Sequence, residues 1–222
     1  MAWRKEMGNK GWTQAWWNYQ YVTAEKFVDP SIFAWGKDNN YFDGGNASLL
    51  CTHGGFNNDG WYGVMHTKVN GKCTVGASEM KLGKASGGKL RFAHLSSCNS
   101  VRWDLKEKWW EKAAKGKIHV ITGFHGYMYI GSKYVKEYKE LAKKGFTKGV
   151  GKVWVDEMHH TSHWYNSWNT VCPIALGFGD TKQHSLDALD EKYNSNWSDK
   201  APNWMSYRWI SKCDPDGGPK LP

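Results

Sequence analysis

The chain lacks most of the features that would assign it at a glance. No run of eighteen apolar residues occurs, which excludes a hydrophobic membrane-spanning helix. Residues 1–20 carry charges and tryptophans where a secretory leader needs an apolar centre, so no export signal is visible. No two of the five cysteines (Cys51, Cys73, Cys98, Cys172 and Cys213) stand in CxxC spacing, and an odd number argues against a full disulfide framework and against a cysteine zinc site alike. Such thiols suit a reducing cytoplasm. The HExxH signature of a zinc protease is absent, and no linker-like stretch divides the 222 residues, so a single domain is expected. Its core should span about residues 45–180, with 1–30 and 195–222 peripheral.

Thirty basic residues against twenty-one acidic ones leave a net charge of +9. The mean hydropathy is −0.70, yet 40% of residues are hydrophobic and fifteen are tryptophan, a composition too aromatic for a disordered chain. Residues 102–152 hold thirteen Lys or Arg against five Asp or Glu. There the lysines alternate with glutamates on predicted helices, which reads as a solvated face rather than a nucleic-acid patch.

Hydrophobic patterning predicts strands at residues 47–53, 89–95, 117–124 and 172–178, with helices at 101–115, 133–144 and about 150–168 between them. Residues 16–23 offer a further strand, 61–81 a strand pair or irregular excursion, and the Gly- and Asn-rich run 54–63 a loop. Strands alternating with helices imply an α/β fold, a mostly parallel central sheet covered on both faces.

Two strand ends carry reactive side chains. The first runs Leu49-Leu50-Cys51-Thr52-His53-Gly54 and the second Leu90-Arg91-Phe92-Ala93-His94-Leu95-Ser96-Ser97-Cys98-Asn99. A thiol attacks well only as thiolate and so needs a base or a positive field beside it. Parallel strands would bring His53, Cys98 and the turn His125-Gly126-Tyr127 to one rim, where open α/β sheets place their functional crevice. A helix beginning near Ser100 would aim its positive end at Cys98. The backbone N–H groups of Gly54 and Cys98 would form an oxyanion hole. His125, Tyr127 and Trp61 are candidate substrate contacts, and Trp35, Tyr41 and Tyr62 flank the same loops. By contrast Cys51 and Cys172 read as core thiols, Cys73 and Cys213 as surface or loop thiols, and His94 as structural.

A strand ending in His-Gly, then a strand ending in Ser-Ser-Cys-Asn-Ser, a helix, and the strand Val120-Ile121-Thr122-Gly123 together resemble the caspase-like superfamily, which includes caspases, legumain, gingipain and separase. The resemblance spans roughly residues 45–180. It implies a three-layer α/β/α sandwich and a Cys/His-dyad peptidase or acyl transferase acting on a peptide or peptide-like amide. In that scheme Cys98 is the nucleophile, His53 the general acid or base, and neither cofactor nor metal is required. No segment matches a specificity pocket, and the tryptophan content suggests a divergent bacterial branch. Two other readings compete: a non-catalytic Trp-rich binding domain on the same fold, and a metal-dependent hydrolase. For the latter, helical spacing through Asp156-Glu157-Met158-His159-His160-Thr161-Ser162-His163 would put Asp156, His160 and His163 on one face and pair His159 with His163.

Overall fold

The computed structural model describes residues 2–129, 131–161, 169–196 and 198–222. Its strands are β1 (Ala47–Cys51), β2 (Gly54–Asn57), β3 (Gly60–Val69), β4 (Lys72–Gly76), β5 (Phe92–Ser96), β6 (Val120–His125), β7 (Cys172–Gly179) and β8 (Trp204–Trp209). Its α-helices are α1 (Ala2–Asn9), α2 (Glu107–Glu111), α3 (Val135–Lys144), α4 (Val150–Met158) and α5 (Lys182–Leu189). None is long and apolar enough to cross a membrane.

Five strands form one sheet in the order β1-β5-β6-β7-β8. Strands β1, β5 and β6 run parallel, whereas β7 is antiparallel to both β6 and β8. The sheet is therefore mixed: two of its four pairings are parallel, fewer than the mostly parallel sheet expected. Strands β5, β6 and β7 are buried along their whole length, as near-continuous apolar runs such as VITGFH and CPIALGFG require.

Each face has its own core. Leu50, Leu95, Ile121 and Ile174 pack with Trp61, Met80, Leu82 and Trp109, from short α2, 3-10 turns and a small second sheet. On the opposite face Phe124 and Ala175 pack with Leu141 and Trp154, and Phe92 and Val120 with Ala142 and Tyr193, beneath the longer helices. His94 lies buried here with Nδ1 2.7 Å from Thr122 Oγ1 and Nε2 2.8 Å from Tyr193 Oη, its ring stacked on Trp154. That arrangement fits the structural role expected for it.

Several boundaries differ from expectation for local reasons. The run 54–63 is not a loop, because β2 and β3 form a hairpin, and β3 continues into β4 through Asn70-Gly71, both at positive φ as a tight two-residue turn demands. Residues 16–23 form a 3-10 turn at Tyr19–Tyr21 and a single bridge from Thr23 to Thr67 instead of a strand. The helix expected over 101–115 is broken into a 3-10 turn at Trp103–Leu105, the five-residue α2, and another 3-10 turn at Ala113–Gly116. Helix α4 stops at Met158, and residues 162–168 of its expected extension lie outside the described residues. The terminal regions are integral, with α1 packed on α3 and β8 completing the sheet.

A buried acidic group lies in the 3-10 region before β1. Asp38 is 0% exposed, and neither carboxyl oxygen makes a well-formed hydrogen bond to the described residues. Desolvation, then the charges of Asp43 and Asp29, outweigh the nearby Asn39 and Asp38 N–H groups and push its pKa up to about 8.

Candidate active site

The parallel register brings the C-terminal ends of β1 and β5 together. Leu50 stands opposite Leu95 and Cys51 opposite Ser96, and Thr52 N–H donates to the Ser96 carbonyl at 3.2 Å. Continued two positions past the paired residues, that register would bring His53 level with Cys98. Packing agrees with it: a Cβ on Gly54 would lie 2.8 Å from the Cys98 carbonyl and would run into the Ser97 hydroxyl and the Trp61 indole. Glycine is needed at 54 for this close approach.

The Cys98 turn is fixed from several sides. Ser97 Oγ accepts from Trp61 Nε1 at 3.1 Å, Asn99 adopts a left-handed φ of 55°, and Asn99 N–H donates to the Gly126 carbonyl at 2.7 Å. Ser100 Oγ donates to the Leu95 carbonyl and accepts from Phe124 N–H, while Trp109 Nε1 donates to the Ser100 carbonyl at 2.8 Å. From Phe92 to Val101 every residue is buried except Cys98. Cys98, half-buried, is thus the one partly accessible residue of an otherwise sealed turn.

The sulfur meets the backbone N–H and carbonyl of Met128. Its S–H donates to the Met128 carbonyl (3.3 Å), and Sγ accepts the Met128 N–H (3.4 Å). Among the described residues its hydrogen bonds run to Met128 and none to His53, whose ring is exposed. The helix dipole expected at Cys98 is absent, since α2 begins only at Glu107; the donor to Sγ is instead the Met128 N–H. Met128 acts through its backbone, so its residue type carried no signal of the role.

For the oxyanion donors, Val64 N–H donates to the His53 carbonyl at 2.8 Å, which makes 53/64 a hydrogen-bonded pair of the antiparallel ladder. The next pair, Gly54/Gly63, is then non-hydrogen-bonded, so the Gly54 N–H points away from β3. Cys98 N–H finds no acceptor among the described residues.

Two expected substrate contacts are corrected. Trp61 is only 2% exposed and stacks on Trp109 (centroids 5.7 Å apart) under the Cys98 turn, so it supports the site from below. His125 is fully buried; Trp103 N–H donates to its Nδ1 (3.1 Å), leaving Nε2–H to donate to the Pro219 carbonyl (2.6 Å). Burial holds its pKa below the ordinary histidine value, so the ring stays neutral, with both nitrogens committed internally. Tyr127, in contrast, is exposed next to Met128. Trp35 stacks on Phe33 and Tyr41 packs edge-on against Trp17, whereas Tyr62 lies against Gly55 in the β2–β3 hairpin. The rim also contains groups not anticipated: Phe56 beneath the Arg102 guanidinium (3.9 Å), and Tyr129, whose hydroxyl donates to Asp216 Oδ2 at 3.1 Å.

The remaining cysteines divide differently from expectation. Cys213 is buried and disulfide-bonded to Cys172, not a loop thiol, and Cys51 is exposed rather than core. Cys73 is exposed as expected. The histidine cluster loses its helical spacing because α4 ends before it: His159 Nδ1 bonds the Val171 carbonyl, His160 faces Glu137, Asp156 pairs with Lys152, and His163 lies outside the described residues. Among the described residues no three His, Cys, Asp or Glu side chains gather to hold a metal. No protein-family model, curated protein or solved structure matches the chain.

Proposed function

We propose that the chain is a Cys/His-dyad hydrolase or acyl transferase of caspase-like type, acting on a peptide or peptide-like amide. The observation that supports this reading is the β1/β5 pairing, whose register, continued past Cys51 and Ser96, runs toward positions 53 and 98, together with the half-buried thiol in an otherwise sealed turn. As the Cys98 sulfur attacks the amide carbonyl its S–H proton passes to His53, which delivers it to the departing amine as the C–N bond breaks, and the Cys98 and Gly54 N–H groups hold the oxyanion. Water or an amine then releases the acyl group. His53 has no hydrogen bond to the sulfur, so the scheme requires its exposed ring to swing onto the leaving group when substrate binds, as loose dyads do on forming the productive complex. The Cys172–Cys213 disulfide favours an oxidising compartment over the cytoplasm, where thioredoxin and glutathione keep thiols reduced.

A peptide-amide activity profile combined with thiol labelling tests the proposal. An electrophilic peptide probe should label Cys98 ahead of exposed Cys51 and Cys73, and His53→Ala should remove that preference. Equal labelling of the three free thiols, or turnover that survives Cys98→Ala, refutes it.

A further inference from the structure

The segment that supports the Cys98 sulfur is itself held by the C-terminal strap. After Cys213 the chain returns across the end of β6: Tyr127 N–H donates to the Asp216 carbonyl at 2.7 Å, Arg102 Nη1 reaches the Gly217 carbonyl at 3.4 Å, and His125 Nε2–H donates to the Pro219 carbonyl at 2.6 Å. Leu221 is buried in the core, and its N–H donates to the Cys213 carbonyl at 2.8 Å, closing the strap on the disulfide that roots it in β7. On its other side the same short stretch, Gly126 to Met128, takes the Asn99 N–H and the Cys98 sulfur.

From this we infer that His125 is a positioning residue for Cys98: it fastens the 215–219 strap to the 126–128 segment and so fixes the Met128 backbone on which the sulfur rests. His125 touches neither the sulfur nor solvent and acts entirely through its neighbours. Its two nitrogens do separate jobs, Nδ1 accepting from the turn at Trp103 and Nε2 donating to the strap. Removing the ring frees the Pro219 carbonyl and leaves the part-buried Trp103 N–H without its acceptor. The Met128 N–H then moves off the sulfur, and Sγ loses its N–H donor.

The inference rests on Cys98 being the nucleophile, but its test reads thiol chemistry alone. The rate of Cys98 alkylation by iodoacetamide is followed on the Cys98 peptide by mass spectrometry in the full chain. His125→Ala should slow it about tenfold, the scale of a small displacement at a reactive centre. His125→Gln, whose amide can still donate toward Pro219, should stay within about twofold of the parent. A merely structural histidine would show no such rescue. A folded His125→Ala alkylating at the parent rate, or a folded His125→Gln as slow as the alanine variant, overturns the inference. Should His125→Ala fail to fold, Asp216→Ala loosens the exposed part of the strap at Tyr129; slower Cys98 alkylation then supports the coupling, and an unchanged rate rejects it. Turnover persisting in Cys98→Ala would instead bring down the nucleophile reading.

Discussion

Replacing Asp38 by Asn should stabilise the protein at neutral pH and remove part of its pH dependence. The buried Asp38 carboxyl has its pKa raised from 3.8 to about 8, so the folded state holds a proton that the unfolded chain releases above pH 4. Its contribution is fully favourable below the unfolded value and is lost as pH rises toward the folded one. At pH 7 the penalty is about 4 kcal/mol, from about 1.4 kcal/mol per pH unit over roughly three units. Asn is the neutral isostere and needs no proton. Allowing for imperfect partners for the new amide, the gain at pH 7 should be about 2–4 kcal/mol, or roughly 5–10 °C in Tm for a chain of this length. Urea unfolding of both proteins from pH 4 to pH 9 provides the assay. The curves should converge near pH 4 and separate progressively up to about pH 8. An Asn variant no more stable than the parent at pH 8, or parallel pH profiles, would refute the assignment of a protonated, desolvated carboxyl.

Two further outcomes are expected. Gly54→Ala drives a methyl into the Ser97 hydroxyl and the Trp61 indole, so it should cost about 1–3 kcal/mol and slow Cys98 alkylation; denaturant titration beside the labelling assay checks both effects. Replacing Cys172 and Cys213 together by Ala opens a cross-link spanning 41 positions, a loss of about 4 kcal/mol by chain entropy, measurable by urea unfolding of parent and variant under non-reducing conditions.

The parts of the fold readable in advance are those in which local pattern and tertiary demand coincide. Strands β5, β6 and β7 are buried on both faces and read as largely apolar runs, while α3 has an amphipathic stripe and is capped by Gly145. The edge strand β8, WMSYRW, buries only Ser206 fully and presents no comparable run. Helix α5 is announced mainly by its cap, Thr181 Oγ1 accepting the His184 N–H, a weak mark in eight residues. Around the candidate site, chain order was enough to align the ends of β1, β5 and β6. Side-chain direction was not legible: Trp61 and His125 sit where expected along the chain but turn inward, because Ser97, Trp103 and Pro219 offer them buried partners from distant segments. The helical spacing of Val101, Leu105 and Trp109 likewise reflects shared burial, achieved by 3-10 turns and a short helix together.

The lateness of β8 in the chain has a consequence for biosynthesis. Strand β7 is apolar along its length, and its second hydrogen-bonding edge is met only by residues 204–209. A nascent chain that has emerged only as far as α5 presents that edge bare, a template for pairing with another chain. The interval in which the ribosome supplies the next two dozen residues is therefore when this protein is most exposed to aggregation, and chaperone dependence should concentrate there.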